Sequence, residues 1–149
     1  MTTHVELTTN LLATPEHAFD VSLDVDVHTS SMSASGESAI AGVMRGGMKL
    51  GDQVTWRARH FGLWWRMTSR ITEFDRPHRF VDEQVKGPFA RFRHEHVFEL
   101  TGEGTSMLDR IEFAAPFGPV GWVAEQLVLR RYLVKLIEMR NAHIAKSSA

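Results

Sequence analysis

Alternation of apolar and polar residues dominates the middle of the chain. It predicts strands over residues 37–45, 53–61, 63–74, 80–86, 92–101 and 105–115. The breaks between these strands are short and rich in Gly, Pro and Asp, as in Gly87-Pro88 and Gly102-Glu103-Gly104. Short connections favour hairpins, so this part of the chain predicts an antiparallel meander.

The region before the meander predicts one further strand and short helices. Residues 5–12 alternate like a strand, and Thr14-Pro15-Glu16 then supplies a helix cap, a Pro at the first helical position and an acid in the first turn. A short helix is therefore expected through Phe19 toward Leu23. Residues 24–32 predict a second short helix, ended by Ser and Gly at 33–36.

An apolar stripe in the last third of the chain predicts a long helix over residues 120–145, about 40 Å in length. Sheet and helix must cover each other's apolar faces. The expected fold is therefore α+β, with a curved antiparallel sheet of about seven strands wrapped around a long C-terminal helix. A straight helix does not fit flush on a curved sheet, so a ligand pocket is expected between them.

Composition excludes several classes of site. The chain of 149 residues is expected to form a single domain, residues 1–149. It contains no cysteine, which excludes disulfides, thiolate metal sites and cysteine nucleophiles. The net charge of −1 argues against a nucleic-acid surface and against an electrostatic membrane anchor. No dinucleotide-binding glycine motif and no P-loop is present, so no cofactor is expected.

The compartment is predicted from the same kind of pattern. Residues 1–13 lack the basic and apolar regions of a secretory signal. No run of about 18 apolar residues is present, so stable membrane insertion is not expected. The expected location is the cytoplasm, and a monomer or a weak homodimer is the expected state.

Strand alternation indicates which side chains face the pocket. Along residues 92–100, Arg and Glu fill one face, so His94 and His96 fall on the other, concave face. The same reasoning on the neighbouring strands and the helix gives a set of expected ligand contacts. They are Trp56, His60, Trp65, Met67, Phe80, Gln84, Phe92, His94, His96, Phe98, Ile111, Phe113 and Leu127.

Three interpretations of His94 and His96 stay open at this point. They are core imidazoles satisfied by their neighbours, polar groups that contact a ligand, or a metal pair, which would need a third ligand from a neighbouring strand. No metal is assigned.

Hairpin registers decide which acids lie beside the two histidines. If Gly102-Glu103 is a two-residue loop, Asp109 lies opposite His96, whereas a three-residue loop puts Arg110 there. The two-residue loop is favoured because it keeps Ile111 and Phe113 inside. A three-residue loop at Gly87-Pro88-Phe89 puts Asp82 opposite His94.

Asp82, His94, His96 and Asp109 are therefore the candidate catalytic residues. Buried His–Asp pairs support general acid–base chemistry, but they equally form structural hydrogen-bond networks.

Two surface features complete the pattern. Residues 116–122 are apolar and rich in Gly and Pro, and they are expected to line the mouth of the pocket, to rest on lipid, or to form a packed corner. Four outward arginines of the meander are expected to form a solvated face paired with acids on other strands. They are Arg57, Arg59, Arg66 and Arg70, with Glu83, Glu95, Glu99 and Glu112 as partners.

Several short motifs, together with the order of elements, resemble a known superfamily. The motifs are Phe61-Gly62, the residues DRPHRFVD at 75–82, Gly87-Pro88-Phe89, the residues HEHVF at 94–98, Gly104-Thr105, Asp109 and Pro116-Phe117-Gly118. They resemble the START-like superfamily, also called Bet v 1-like or SRPBCC, and within it the bacterial polyketide cyclase/dehydrase-like branch. The resemblance implies the helix-grip fold over nearly the whole chain. This fold hosts lipid carriers, hormone receptors and cyclases, so it leaves the activity open.

Three hypotheses of function follow. The first is binding of a small lipophilic ligand, lipid or polyketide-like, between the sheet and the C-terminal helix. The second is a cyclase- or dehydratase-like enzyme that uses the His and Asp residues of the cavity. The third is a protein-interaction module with a vestigial pocket, for which a filled core is the expected mark.

Overall fold

A curved antiparallel sheet of seven strands forms the body of the protein. The computed structural model describes residues 2–147. The strands are β1 Thr3–Leu11, β2 Ser38–Gly42, β3 Gln53–His60, β4 Leu63–Asp75, β5 Arg79–Lys86, β6 Arg91–Leu100 and β7 Thr105–Ala114. Their order across the sheet is β1-β7-β6-β5-β4-β3-β2, so the meander is confirmed and β1 returns to pair with β7.

Two short helices connect β1 to β2. Helix α1, Pro15–Ser22, begins at Thr14, whose side chain accepts a hydrogen bond from the backbone N–H of His17. Helix α2, Val25–Ser31, begins at Asp24, whose carboxylate accepts from the N–H of Val27. Both predicted helices are confirmed, since each has the side-chain cap that its sequence offered. A single 3₁₀ turn, Ser33–Ser35, leads into β2.

The C-terminal helix is long but not uniform. It runs as α3, Gly118–Ala124, then as a π-helical segment, Glu125–Leu129, and then as α4, Arg130–Ser147. The buried carboxylate of Glu125 accepts hydrogen bonds from the hydroxyl of Thr3 at 2.6 Å and from the N–H of Ala115, which fastens the wide turn to β1 and to the end of β7. Within residues 2–147, no helix is both long and apolar enough to span a bilayer.

Two apolar clusters hold the helices on the sheet. Phe19 of α1 is fully buried and makes edge-to-face contacts with Phe74, Phe80 and Phe98. The second cluster joins α4 to β1 and β7, and its buried members are Val5, Ile111, Phe113, Leu133 and Ile137. The concave surface between the two clusters is not filled by side chains, and this gap is the cavity described next.

Candidate functional site

A cavity of about 760 Å³ lies between the concave face of the sheet and the C-terminal helix. Its walls come from β3 to β6 on one side and from α3, the π-helical segment and α4 on the other, and α2 with the residues just before it closes a third side. The side chains on the helix side are Ala124, Val128, Leu129, Tyr132, Leu133, Leu136, Ile137 and Arg140. The volume is in the range that encloses a small organic molecule.

Strand alternation accounts for most of the sheet side of this wall. The expected contacts that line the cavity are Trp56, His60, Trp65, Met67, Phe80, Phe92, His94 and His96. Each occupies the inward position of its strand, because successive side chains of a strand point to opposite faces.

Five expected contacts lie elsewhere. Gln84 turns back on the β5–β6 loop, where its amide bonds the backbone of Phe89 in both directions. Phe98 packs in the cluster around Phe19, while Ile111 and Phe113 pack in the second cluster. Phe98, Ile111 and Phe113 face the concave side as predicted, but helices cover that part of the sheet.

Leu127 is the fifth, and its side chain is 68% exposed. The predicted stripe assumed one continuous α-helix. The π-helical segment instead puts Ala124 and Leu129, five residues apart, on the cavity wall and leaves Leu127 outside.

The polar floor of the cavity joins two His–Asp pairs. The predicted registers are confirmed, with Asp82 opposite His94 and Asp109 opposite His96. The hydrogen bonds, however, run diagonally. Nε2 of His94 is 2.7 Å from Asp109, and Nε2 of His96 is 2.7 Å from Asp82. The four groups therefore link β5, β6 and β7 below the cavity.

Helix α4 adds two polar residues to this floor that the sequence analysis missed. Arg140 is 3.4 Å from Asp109 through Nη1, and it donates to Asn141 at 3.1 Å. The amide of Asn141 donates to Asp109 at 2.7 Å. A usable signal was present, because Arg140 lies three residues after Ile137 and four before Ile144, on the buried face of the helix.

Burial and ion pairing set the charges of the floor. Burial alone would raise the pKa of Asp109, but the hydrogen bond from His94, the nearby imidazole of His96 and the charge of Arg140 hold it well below the ordinary value of 3.8. Burial and the neighbouring His96 lower the pKa of His94 more than Asp109 raises it. Asp109 is therefore a buried carboxylate at neutral pH, and His94 is a neutral imidazole.

Asp82 is the carboxylate that the cavity can reach. Its side chain is 22% exposed, whereas that of Asp109 is 0% exposed. Burial raises the pKa of Asp82, but the hydrogen bond from His96 and the nearby His96, His94 and Arg140 together outweigh this effect and leave the pKa below its ordinary value. A ligand in the cavity therefore meets an ionised acceptor at Asp82.

Asp82, His94 and His96 also bring ligand-type atoms within 4.8 Å of one another. The two imidazoles are stacked, with centroids 3.7 Å apart and an interplanar angle of 20°. Nitrogen lone pairs lie in the ring plane, so near-parallel rings aim them side by side rather than at one ion. A shared metal would require one ring to turn, and both rings are held by carboxylates.

The mouth of the cavity is marked by residues that both line it and reach solvent. They are Phe61 and Trp65 of the β3–β4 hairpin, and Phe117, Ala124 and Val128 of the helix. For residues 116–122 the structure favours the mouth among the predicted interpretations. Phe117 is 84% exposed and lines the opening, while Gly121 packs against the carbonyl of Pro116.

A clasp crosses the mouth from the hairpin to the helix. Nδ1 of His60 is 2.6 Å from the hydroxyl of Tyr132, and the ring of Phe61 contacts that of Tyr132 at 4.6 Å. Burial lowers the pKa of His60 and raises the pKa of Tyr132. Both groups are therefore neutral near pH 7, and the clasp is a neutral hydrogen bond.

The outward arginines differ from their predicted pairing. Within residues 2–147, none of Arg57, Arg59, Arg66 and Arg70 makes an ion pair. Arg57 instead lies over the ring of Trp64 at 3.9 Å. The expected acidic partners are largely taken by other arginines, as when Glu95 accepts from Arg79 and Arg110.

Comparison with known proteins places this geometry in a family. A family model described as polyketide cyclase / dehydrase and lipid transport matches residues 2–148. The chain belongs to this family. The resemblance to the SRPBCC superfamily is thereby confirmed, over nearly the full length. A search of curated proteins gives no significant match.

Solved structures of low sequence identity share the fold. TTHA0849 from Thermus thermophilus has a TM-score of 0.73 at 17% identity, with 100% of each chain covered. Major latex-like protein 151 from Panax ginseng has a TM-score of 0.64 at 15% identity, with 95% of this chain and 97% of that chain covered. Ara h 8.0201 has a TM-score of 0.67 at 11% identity, with 97% and 98% covered. These similarities establish the helix-grip fold, and family and fold together suggest ligand-binding or cyclase-like function.

Proposed function

We propose that the protein binds a small, largely apolar ligand in the cavity between the sheet and the C-terminal helix. The observation that carries the proposal is the cavity of about 760 Å³, whose aromatic and aliphatic walls end at the polar floor of Asp82, His94, His96 and Arg140. Binding sites for small molecules combine such walls with few, fixed polar groups. A vestigial pocket would be filled by side chains, whereas this cavity is open. The interaction-module hypothesis is therefore not favoured.

The charges of the floor favour a neutral ligand with a hydroxyl or amide donor. Asp109 is neutralised by Arg140 and bonded by Asn141, whereas Asp82 has the imidazole of His96 as its hydrogen-bond partner. A ligand carboxylate would approach the ionised Asp82 and be repelled. A ligand hydroxyl would donate to Asp82, so alcohols are expected to bind better than the matching acids.

Two measurements test this proposal. Native mass spectrometry and organic extraction of the purified protein would identify any molecule retained from the host. Displacement of the neutral fluorescent probe N-phenyl-1-naphthylamine would then compare decanol with decanoate, which share a chain length and differ in charge. We expect decanol to displace the probe at lower concentration. Absence of probe binding, together with a clean apo mass, would contradict the proposal.

Adjacent tryptophans supply a matched pair of variants. Trp65 lines the mouth, while Trp64 is its neighbour on β4 and lies on the other face beside Arg57. Trp65→Ala is expected to weaken probe binding by about 2 kcal/mol, close to 30-fold, if the ring is a desolvated anchor. Trp64→Ala is expected to leave affinity unchanged. Equal effects of the two substitutions would show that the probe does not bind in the cavity.

A second candidate function rests on the Asp82–His96 pair. A carboxylate that reaches the cavity and bonds an imidazole at 2.7 Å is suited to move a proton to or from a bound substrate, as a cyclase or dehydratase requires. With a substrate identified by extraction, Asp82→Asn would abolish turnover while binding persisted. Glu83→Gln, the next residue on the opposite face of β5, is the control. Full turnover in Asp82→Asn would remove the pair from catalysis.

A further inference from the structure

The net charge of −1 conceals a strong segregation of charge along the chain. Residues 57–70 contain no acidic residue, and their bases are Arg57, Arg59, Arg66 and Arg70. Residues 113–137 contain one acid, Glu125, which is buried and hydrogen-bonded, and their bases are Arg130, Arg131 and Lys135. These two segments carry the β3–β4 hairpin and the first half of the C-terminal helix, which are the two sides of the cavity mouth.

Among residues 2–147, the bases on the two sides of the mouth form no ion pair with an acid. Within residues 2–147, the arginines that form ion pairs with Asp or Glu are Arg76, Arg79, Arg91, Arg93, Arg110 and Arg140. Arg59, Arg66, Arg130 and Arg131 are exposed and are not among them. A basic group without a neighbouring acid keeps its full positive potential toward an incoming surface.

Large apolar side chains are exposed on the same two segments. On the hairpin they are Phe61 and Leu63, and on the helix they are Phe117, Val120 and Leu127, each more than half exposed. Together with Arg59, Arg66, Arg130 and Arg131 they are the exposed apolar and basic residues of the two segments that border the opening, and we call this set the mouth rim. Exposed apolar side chains gathered at one place mark an interaction surface rather than the scattered apolar residues of an ordinary exterior.

We propose that the mouth rim docks the protein on an anionic lipid bilayer, with the cavity opening toward the membrane. Aromatic and aliphatic side chains that enter the interface, flanked by Arg that meets anionic headgroups, are the features that hold peripheral proteins on such surfaces. A bilayer fits this surface better than an acidic protein does, because the rim borders the opening of an apolar cavity on two sides. The bilayer would deliver an apolar ligand to that opening without passage through water. The docking proposal depends only on the rim residues. Only the delivery of a ligand to the cavity depends on the proposed function.

Co-sedimentation with vesicles tests the docking without any cavity ligand. The full chain is mixed with vesicles of phosphatidylcholine alone, or with vesicles in which one third of the phospholipid is phosphatidylglycerol. We expect sedimentation with the anionic vesicles and release at high salt. Each basic residue near an anionic surface contributes about fivefold to partitioning, so Arg130→Gln with Arg131→Gln is expected to reduce it about 30-fold. Val120→Ser with Leu127→Ser is expected to abolish it, and neither side chain lines the cavity.

A charge-matched control separates the rim from general basicity. Arg45 and Lys49 are exposed bases without an ion pair in residues 2–147, and they lie in the loop after β2, away from the mouth. Arg45→Gln with Lys49→Gln is expected to leave partitioning unchanged. Equal losses in the two double variants would overturn the proposal.

The remaining outcomes assign the rim to another partner. No sedimentation of the wild type with anionic vesicles overturns the proposal and leaves an acidic protein as the partner. A dimer in solution that dissociates in the Val120→Ser, Leu127→Ser variant would assign the rim to a second copy and would also overturn it. Probe binding in the cavity is measured on each variant, so that loss of docking with intact probe binding keeps the two proposals distinct.

Discussion

The imidazole of His94 stands directly opposite Asp82 in the sheet, yet it hydrogen-bonds to Asp109 at 2.7 Å. Asp82 in turn pairs with His96, so the two hydrogen bonds cross between three strands. Arg140 then ties Asp109 to the C-terminal helix. The floor of the cavity is therefore one polar unit that joins sheet and helix, and its stability can be tested separately from its role toward a ligand.

Removal of Arg140 is expected to destabilise the fold. Arg140→Met leaves the carboxylate of Asp109, which is 0% exposed, without its cationic partner, and breaking a buried pair in this way costs about 3 kcal/mol or more. Urea unfolding at neutral pH measures the loss. Arg76→Met removes an exposed pair with Asp20, whose side chains are 47% and 54% exposed, and is expected to cost much less, because water screens exposed pairs. Similar losses of unfolding free energy in both variants would mean that the buried Arg140–Asp109 pair contributes no more to stability than an exposed pair.

Stability is expected to fall as the pH drops below about 6.5. The native pKa of His94 is lowered by burial and by His96, so the unfolded chain takes up a proton in this range that the native chain does not. Native His60 also has a lowered pKa and acts in the same direction. The pKa of Asp109 is held well below 3.8, so the stability it provides is lost only in stronger acid. Free energies of unfolding between about pH 8 and about pH 5 measure this slope.

His94→Gln is the control for the acid dependence. The amide of Gln keeps a donor for Asp109 and does not titrate, so the slope of unfolding free energy against pH should become flatter than that of the wild type. An unchanged slope would assign the acid dependence to groups other than His94.

A side chain that plugs the mouth is expected to block binding without unfolding the protein. Ala124 is exposed on α3 and lines the opening, so Ala124→Trp fills space that the native chain leaves open. Ala142, exposed on α4 and absent from the cavity wall, is the matched site. Thermal unfolding of both variants should stay within about 0.5 kcal/mol of the wild type, while N-phenyl-1-naphthylamine binding should fall in Ala124→Trp alone. Equal probe binding in both variants would contradict the placement of the mouth.

The His60–Tyr132 clasp is expected to control the rate of exchange rather than the affinity. Tyr132→Phe removes a hydrogen bond worth about 1 kcal/mol, so probe association and dissociation should both accelerate about fivefold in stopped-flow fluorescence, with the dissociation constant nearly unchanged. The control is Thr55→Val, which removes a 2.8 Å side-chain hydrogen bond with Thr68. This bond joins β3 to β4 within the hairpin that carries His60, away from the mouth. If Thr55→Val accelerates exchange equally, general loosening of the hairpin and not the clasp is the cause.

The sequence predicted the sheet well because its signals are local. Polar and apolar residues alternate along each strand, and two short loops set the registers that place Asp82 opposite His94 and Asp109 opposite His96. The diagonal choice of partner was out of reach, since it depends on rotamers and on how tightly the two imidazoles stack.

The helix was harder to predict than the sheet. Arg140 was missed although the helical repeat puts it on the buried face, because its partner Asp109 is distant in sequence and pairing across such a separation is set by the tertiary fold. Leu127 was misplaced because apolar periodicity carries no mark of a wide turn, which is stabilised instead by Glu125 reaching β1 and β7. Both errors arose where long-range contacts override a helical repeat.

The π-helical segment also determines where the chain tolerates a change in length. A π turn holds one residue more than a turn of the α-helix around it. Deletion of one residue such as Val128 would therefore convert the π turn into an ordinary α-helical turn, and the side chains before and after it would keep their orientation toward the sheet. The same deletion at Lys135, inside α4, would turn everything before it by about 100° and take Leu129 and Ala124 off the cavity wall. Natural gains and losses of single codons in this helix should therefore gather within residues 125–129, where one step can alter the mouth and leave the cavity floor intact.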